Sequence, residues 1–340
     1  MLGIQAAIDA LSRIGHTSPV PTTSFRGVPP LRTGARVALI SPSGPLRRGD
    51  EPRAAAACAG LGWIAITGSH ATGEAGYFAG TDEERAADLQ RALDDESIDA
   101  IWCLRGGYGA VRLLDRLRWD SFRERPKALI GYSDITALHL AIAQECGVQS
   151  YHGPTARTEL TTFSRDSLLR ALHGMDPFGA APDARVIRGG RATGRLAGGN
   201  LALLASMCGT RWAPRFDGAL VVLEDVNEAT YRVDRMLAQL RLAGAFEGVR
   251  GILFGHCTNC DEEADGGGRR ALDDILIELS ERLGVPTVAG IPVGHIADQW
   301  TVPLGAAAEL DATGSVVSLR LEGAATGAAA LSSGAFVPRA

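Results

Sequence analysis

From Arg36 to Leu321 the chain alternates short apolar runs with amphipathic stretches. Arg36-Val37-Ala38-Leu39-Ile40 reads as a buried strand and Trp63-Ile64-Ala65-Ile66 as a second strand, and the alanine-rich segment 53–59 between them reads as a helix. Together they predict a β-α-β unit with parallel strands. Thr81-Asp82-Glu83-Glu84 has the Thr-x-x-Glu form of a capping box and opens a helix to about Leu93. Residues 98–104 form the next apolar run; Arg105-Gly106-Gly107-Tyr108-Gly109 follows, then a helix carrying Val111, Leu113, Leu114 and Leu117. The run that ends at Gly131 gives way to a turn, after which Ile135, Leu138, His139 and Ile142 recur at helical spacing. Residues 148–154 add one more strand ending in a turn.

This rhythm lapses over 157–187, where a short helix at 167–173 is followed by turn-rich Gly174-Met175-Asp176-Pro177-Phe178-Gly179. A domain junction is expected there. Beyond it, Gly198-Gly199-Asn200 precedes an apolar helix at 201–207. A strand over 218–225 then runs into Glu224 and Asp225, with Glu228 and a helix at 231–242 after it. A strand at 249–255, a flexible loop at 265–268 and an amphipathic helix at 271–283 come next. His295 follows in a loop rich in proline and glycine, and 302–310 should pair with 315–321 as closing strands.

Before residue 33, Ile4, Ile8, Leu11 and Ile14 are interrupted by Asp9, Ser12 and Arg13, a short amphipathic helix; 16–31 are too rich in proline and threonine for regular structure. The pattern therefore divides into an extension and linker (1–32), an N-terminal α/β domain (33–157), an inter-domain linker (158–187), a C-terminal domain (188–325) and a tail (326–340).

At 340 residues with 46% hydrophobic positions, the chain can bury a core in each of two domains. A net charge of −5 with no basic block argues against nucleic acid or anionic membrane as a partner. The start lacks a basic n-region and no segment is long and apolar enough to span a bilayer, so a soluble cytoplasmic protein is expected. The six cysteines lie mostly in apolar runs, as reduced buried thiols do. Cys257-Thr258-Asn259-Cys260 has metal or redox spacing beside His256, yet no second C-x-x-C exists. A structural loop is expected there in preference to a zinc site or a disulfide.

The candidate chemistry gathers at strand ends. Ser133 lies in the sharp turn after an apolar run, where the first amides of a helix have no intrahelical partners and suit an oxyanion. Gly131-Tyr132-Ser133-Asp134-Ile135 keeps the first glycine of a nucleophile elbow and has Ile135 in place of the second. A serine that merely caps a helix is the plain alternative. The Gly106-Gly107 pair could cradle a phosphate, but no G-x-G-x-x-G or Gly-Lys-Ser/Thr accompanies it. Amides against a reacting oxygen fit better, because both loops leave the same carboxyl edge of a parallel sheet; a purely structural turn stays open. Of seven histidines, His152 and His295 are close rivals as the base, and the acid is open among Glu224, Asp225 and Glu228.

Seven blocks occur in order over about residues 33–322: Gly76-Tyr77-Phe78-Ala79-Gly80-Thr81-Asp82-Glu83-Glu84-Arg85, Arg105-Gly106-Gly107-Tyr108-Gly109, Gly131-Tyr132-Ser133-Asp134-Ile135-Thr136, His152-Gly153-Pro154, Gly198-Gly199-Asn200, Leu223-Glu224-Asp225 with Tyr231-Arg232-Val233-Asp234-Arg235, and Gly294-His295. Together they resemble the LD-carboxypeptidase, or muramoyl-tetrapeptide carboxypeptidase, family. The resemblance implies an α/β fold: a parallel-sheet flavodoxin/Rossmann-like N-terminal domain and a smaller C-terminal α/β domain with the active site at their interface. It implies a metal-independent, cofactor-free serine peptidase with Ser133 as nucleophile, His295 as base and Glu224 as triad acid. Backbone amides of Gly106 or Gly107 and of Asp134 would form the oxyanion hole. The implied substrate is a murein tetrapeptide losing its terminal D-alanine at an L,D-peptide bond during cell-wall recycling, and the implied assembly is a homodimer. Relatives with the same triad hydrolyse other acyl-peptides, such as the peptidyl-nucleotide antibiotic of microcin self-immunity proteins. A non-catalytic peptide- or nucleotide-binding protein is the alternative outside catalysis.

Overall fold

The computed structural model describes residues 25–260 and 270–324. The amphipathic helix expected at the start, the loop at 265–268 and the tail from 326 lie outside them. In chain order, the first sheet is built by β1 (Arg36–Ile40), α1 (Asp50–Gly60), β2 (Ile64–Thr67), α2 (Asp82–Asp94), β3 (Ala100–Cys103), α3 (Asp120–Glu124), β4 (Ala128–Gly131), α4 (Thr136–Cys146) and β5 (Ser150–His152). Its five strands pair in parallel in the order β5-β4-β3-β1-β2. Every residue of β3 and β4 is buried, which is why these strands read as unbroken apolar runs and do not alternate. The Thr81 capping box forms as expected: Thr81 Oγ1 accepts from the Glu84 amide at 3.2 Å, and the Glu84 carboxylate accepts from the Thr81 amide at 2.8 Å.

The second half contains α5 (Thr162–Leu172), β6 (Arg185–Arg188), β7 (Arg191–Asn200), α6 (Leu201–Ser206), β8 (Ala219–Val226), α7 (Thr230–Leu242), β9 (Gly251–Thr258), α8 (Leu272–Leu283), β10 (Thr287–Ala289), β11 (Val302–Leu304), β12 (Ala307–Asp311) and β13 (Ser318–Leu321). Seven of these strands form a mixed sheet ordered β13-β12-β7-β8-β9-β10-β6, with β7 to β10 parallel. The fold is α/β with two sheets, the class expected from the sequence. Helix α4 of the first half packs on α6 of the second, and Leu138, Ile142, Leu201, Leu204, Leu223 and Phe254 belong to one apolar core that runs between the sheets. Each such fully buried side chain stabilises the fold by about 1.5–3 kcal/mol. This packing sets the carboxyl end of β4, with Ser133, against the carboxyl end of β8, with Glu224.

Four local expectations need correcting. First, 302–310 is not one closing strand: β11 leaves the second sheet and pairs antiparallel with β5 at the edge of the first, while only β12 pairs with β13. Gly305, with φ +92°, makes the break between β11 and β12. Second, the packed chain begins before Thr33. Arg26 exchanges backbone bonds with Gly147 and Gln149 at 2.9 Å, and Leu31 is buried. Third, the helix read from Val111 to Leu117 is a single short 3₁₀ turn, Ala110–Leu113. Fourth, Cys257 and Cys260 are not free thiols in a plain loop but form a disulfide. Asn259, with φ +56°, folds the chain back so that the Cys260 amide reaches the Cys257 carbonyl and the two Cα atoms lie 5.4 Å apart, within bridging range. Cys58, Cys103, Cys146 and Cys208 are free, and burial raises all four thiol pKa values, that of Cys58 to about 11.

Candidate active site

Strand β4 ends at Gly131, and the chain turns through Tyr132 into a 3₁₀ turn, Ser133–Ile135, that feeds α4. Ser133 sits in the left-handed region at φ +64°. A non-glycine residue there is held against a cost of about 1–3 kcal/mol, a strain characteristic of a serine raised on a sharp strand-to-helix turn. The holding comes partly from Asp134, whose buried carboxylate accepts from the Ser43 hydroxyl at 2.5 Å and from the Ala110 amide at 2.8 Å. Asp134 thus staples the serine turn to the loop after β1 and to the glycine loop after β3. Burial pushes its pKa up, and those hydrogen bonds oppose the shift.

Gly106 approaches the serine closely. A Cβ added there would meet Ser133 Cβ at 3.1 Å, the Tyr132 carbonyl at 3.3 Å and Ser133 Oγ at 3.4 Å, so glycine brings this backbone against the serine without pushing its neighbours aside. Gly107 packs instead toward Gly44, whose Cα would lie 3.4 Å from an added Cβ.

From the second half, His295 Nε2 lies 3.2 Å from Ser133 Oγ and His295 Nδ1 lies 2.9 Å from Glu224 Oε2. With the serine hydroxyl donating to Nε2, the ring proton sits on Nδ1 and is donated to Glu224. Glu224 is fully buried, whereas the His295 side chain is 21% exposed. The loop carrying His295 is held by its backbone: Thr258 Oγ1 donates to the His295 carbonyl at 3.1 Å, and the His256 amide donates to Val293 at 2.8 Å. The Tyr132 ring packs against the His295 ring at 4.8 Å between centroids. Burial raises the Tyr132 pKa, and the nearby Glu224 charge adds to the rise.

The rivals left open by the sequence lie elsewhere. His152 is buried beside Tyr132 and His139, and burial drives its pKa well below the usual histidine range; among the described residues it makes no bond to Ser133. His139 is packed on α4 between the Ser150 hydroxyl and the Gly131 carbonyl, and burial lowers its pKa to about 4. Asp225 bonds other partners than His295. It accepts from Asn200 Nδ2 at 3.1 Å and from the amides of Ala202 and Val226 at 2.9 and 2.8 Å, while burial foremost raises its pKa to about 6. Glu228 faces Arg232 at 3.6 Å.

Ser43, Thr258 and the carboxylate of Asp134 escaped the sequence reading. Ser41-Pro42-Ser43-Gly44 reads only as a turn, and nothing local says that its second serine reaches 91 positions along the chain.

Residues 37–153 match the LD-carboxypeptidase N-terminal domain and residues 193–310 the LD-carboxypeptidase C-terminal domain. The murein tetrapeptide carboxypeptidase of Pseudomonas aeruginosa is 35% identical over 263 residues, 72% of this chain and 82% of that protein. A solved muramoyltetrapeptide carboxypeptidase from Oxalobacter formigenes superposes with a TM-score of 0.77 at 28% identity, over 86% of this chain and all of that one. The microcin C7 self immunity protein MccF superposes with a TM-score of 0.79 over 88% of this chain and 99% of its own; at 22% identity that likeness is one of fold.

Proposed function

This chain belongs to the LD-carboxypeptidase family, and on that premise we propose that it is a serine-type peptidase releasing the terminal D-alanine of murein tetrapeptides by cleaving an L,D-peptide bond. The observation that carries the reading is the continuous series Ser133, His295, Glu224, joined at 3.2 and 2.9 Å across the two halves at the carboxyl edge of the first sheet. In this reading the unit 33–157 brings the nucleophile, and 188–325 brings the acid and base.

The chemistry follows from those positions. His295 Nε2 takes the Ser133 proton as Oγ attacks the scissile carbonyl carbon, and Glu224 stabilises the imidazolium and fixes the tautomer. The developing oxyanion is met by backbone amides of the glycine loop at Gly106 or Gly107 and of Asp134, each such donor typically worth about 2.7–4 kcal/mol of barrier. His295 then protonates the departing amine of D-alanine, and water, deprotonated by the same ring, hydrolyses the acyl-enzyme. No step calls for a metal ion.

The test is mass-spectrometric release of D-alanine from L-Ala-γ-D-Glu-meso-diaminopimelate-D-Ala, with Ser133→Ala alongside. Loss of one alanine with the wild type and none with the variant is expected. An intact tetrapeptide, with turnover of an aminoacyl-nucleotide analogue in its place, would move the substrate to the peptidyl-nucleotide class while leaving the triad in force.

A further inference from the structure

Thr136, three residues beyond the nucleophile and first in α4, is fully buried. Its hydroxyl oxygen accepts a hydrogen bond from the backbone amide of Asn200 at 3.0 Å, a contact between the two halves of the molecule. Asn200 is the last residue of β7, in parallel register with Glu224 of β8. Its side chain caps α6 through the Leu203 amide at 3.1 Å and donates to Asp225 at 3.1 Å. The preceding residue shows how tightly the halves meet: a Cβ on Gly199 would lie 2.5 Å from Thr136 Oγ1, so only glycine lets β7 press against this threonine.

These bonds close a ring. It runs from Ser133 along the helix start to Thr136, across to Asn200, through Asp225 to its chain neighbour Glu224, on to His295 and back to Ser133. The non-covalent links measure 3.0, 3.1, 2.9 and 3.2 Å, and two of them cross between the halves, Thr136 to Asn200 and Ser133 to His295. Slack introduced at the first crossing is therefore passed to the second, the pair that must transfer a proton.

We propose that Thr136 is a positioning residue, a latch whose hydroxyl fixes the half carrying Ser133 at the distance from His295 that proton transfer requires. It touches neither substrate nor proton. The assignment rests on Ser133 being the nucleophile of the proposed peptidase.

The test compares Thr136→Val, which keeps the shape and removes the acceptor, with Thr136→Ser, which keeps the acceptor. Active sites are titrated with a fluorophosphonate, and D-alanine release is expressed per titrated site, so that misfolded protein drops out. For Thr136→Val the per-site kcat should fall about 10- to 100-fold with KM within about threefold, as misplacement by a fraction of an ångström to an ångström produces. Thr136→Ser should return to within about threefold of wild type. A Thr136→Val rate per site equal to wild type overturns the latch, whatever its titratable fraction, and so does a Thr136→Ser rate as low as the valine variant's. If Thr136→Val yields no folded protein, Thr136→Ala is read by the same criteria. Should the wild type be labelled at Ser133 yet spare the tetrapeptide, the substrate reading falls alone, and the labelling rate constants of the same variants decide the latch.

Discussion

Glu224→Gln isolates what the carboxylate does for His295. Glutamine has nearly the same shape, so the fully buried site keeps its packing, and the variant differs in charge and in which atoms donate. Two estimates of the cost agree. At 2.9 Å, and with an effective dielectric constant of about 20, the attraction between the carboxylate and a charged imidazole is about 6 kcal/mol, most of which vanishes with the charge. From the other direction, replacing the acid of a serine-histidine-acid triad by its amide, which can favour the wrong tautomer, typically lowers kcat by about 10⁴, equivalent to about 5.4 kcal/mol. We expect kcat for D-alanine release to fall about 10³- to 10⁴-fold, with KM changed little, because the carboxylate acts mainly on the charged transition state. Glu224→Asp keeps the charge but withdraws it by about one methylene, beyond the present hydrogen bond, and should lose about 10²-fold on the misplacement scale. Steady-state release by coupled D-amino-acid oxidase, with a circular-dichroism melt to show folding, is sufficient. A well-folded Glu224→Gln enzyme within tenfold of wild type would refute the role given to this acid.

Other outcomes follow from the same geometry. Gly106→Ala should lower kcat by about 10-fold or more, since a Cβ there meets Ser133 Cβ at 3.1 Å and the Tyr132 carbonyl at 3.3 Å and shifts the glycine loop against the serine turn; normal turnover would exclude this loop from the oxyanion hole. Asp225 titrates at about 6 in the fold against 3.8 for the free group, so the folded state favours its protonated form. Stability from this group is therefore full below about pH 4 and lost as pH rises through 6, by at most about 3 kcal/mol. Denaturant melts of wild type and Asp225→Asn between those limits should diverge in slope, and parallel curves would remove Asp225 as the source. Finally, iodoacetamide added to the unfolded, unreduced chain should modify the four free cysteines, and all six only after reduction; six without reductant would disprove the Cys257–Cys260 bond.

The elements legible in the sequence are those whose reasons are local. The buried runs of β1, β3 and β4, the Thr81 capping box and the turn at Ser133 are written in consecutive residues. What could not be read is set by distant partners. Strand alternation puts Glu224 and Asp225 on opposite faces, but which face meets a histidine depends on a loop some seventy positions later. His152 reads like a base at a strand end until β11 is added beside it: Val302 lies in register with His152, which is buried, and the stretch that supplies β11 looks like a simple hairpin. Glu224 and His295 are singled out in the sequence by motif resemblance alone, since their local patterns do not distinguish them from Asp225 and His152.

The two halves divide the work unequally. The strained serine, the Asp134 staple and the Gly106 approach all lie within the first half, so the hydrogen bonds that hold the turn of the proposed nucleophile are made there, while β7 of the second half packs against the same turn. The residues proposed as acid and base, Glu224 and His295, lie within the second, already bonded to each other at 2.9 Å. In the proposed triad one hydrogen bond, between Ser133 and His295, crosses between them. A substitution that loosens how the halves meet, at Gly199 or in the α4–α6 contact, should consequently damage proton transfer before it damages oxyanion stabilisation. In measurable terms, such variants should lose rate most with substrates whose leaving amine needs protonation. They should lose least with an activated ester of the same acyl group, whose leaving group departs without a proton. Equal losses on the amide and the ester would mean that the nucleophile's own setting depends on the second half, contrary to the bonds seen around Ser133.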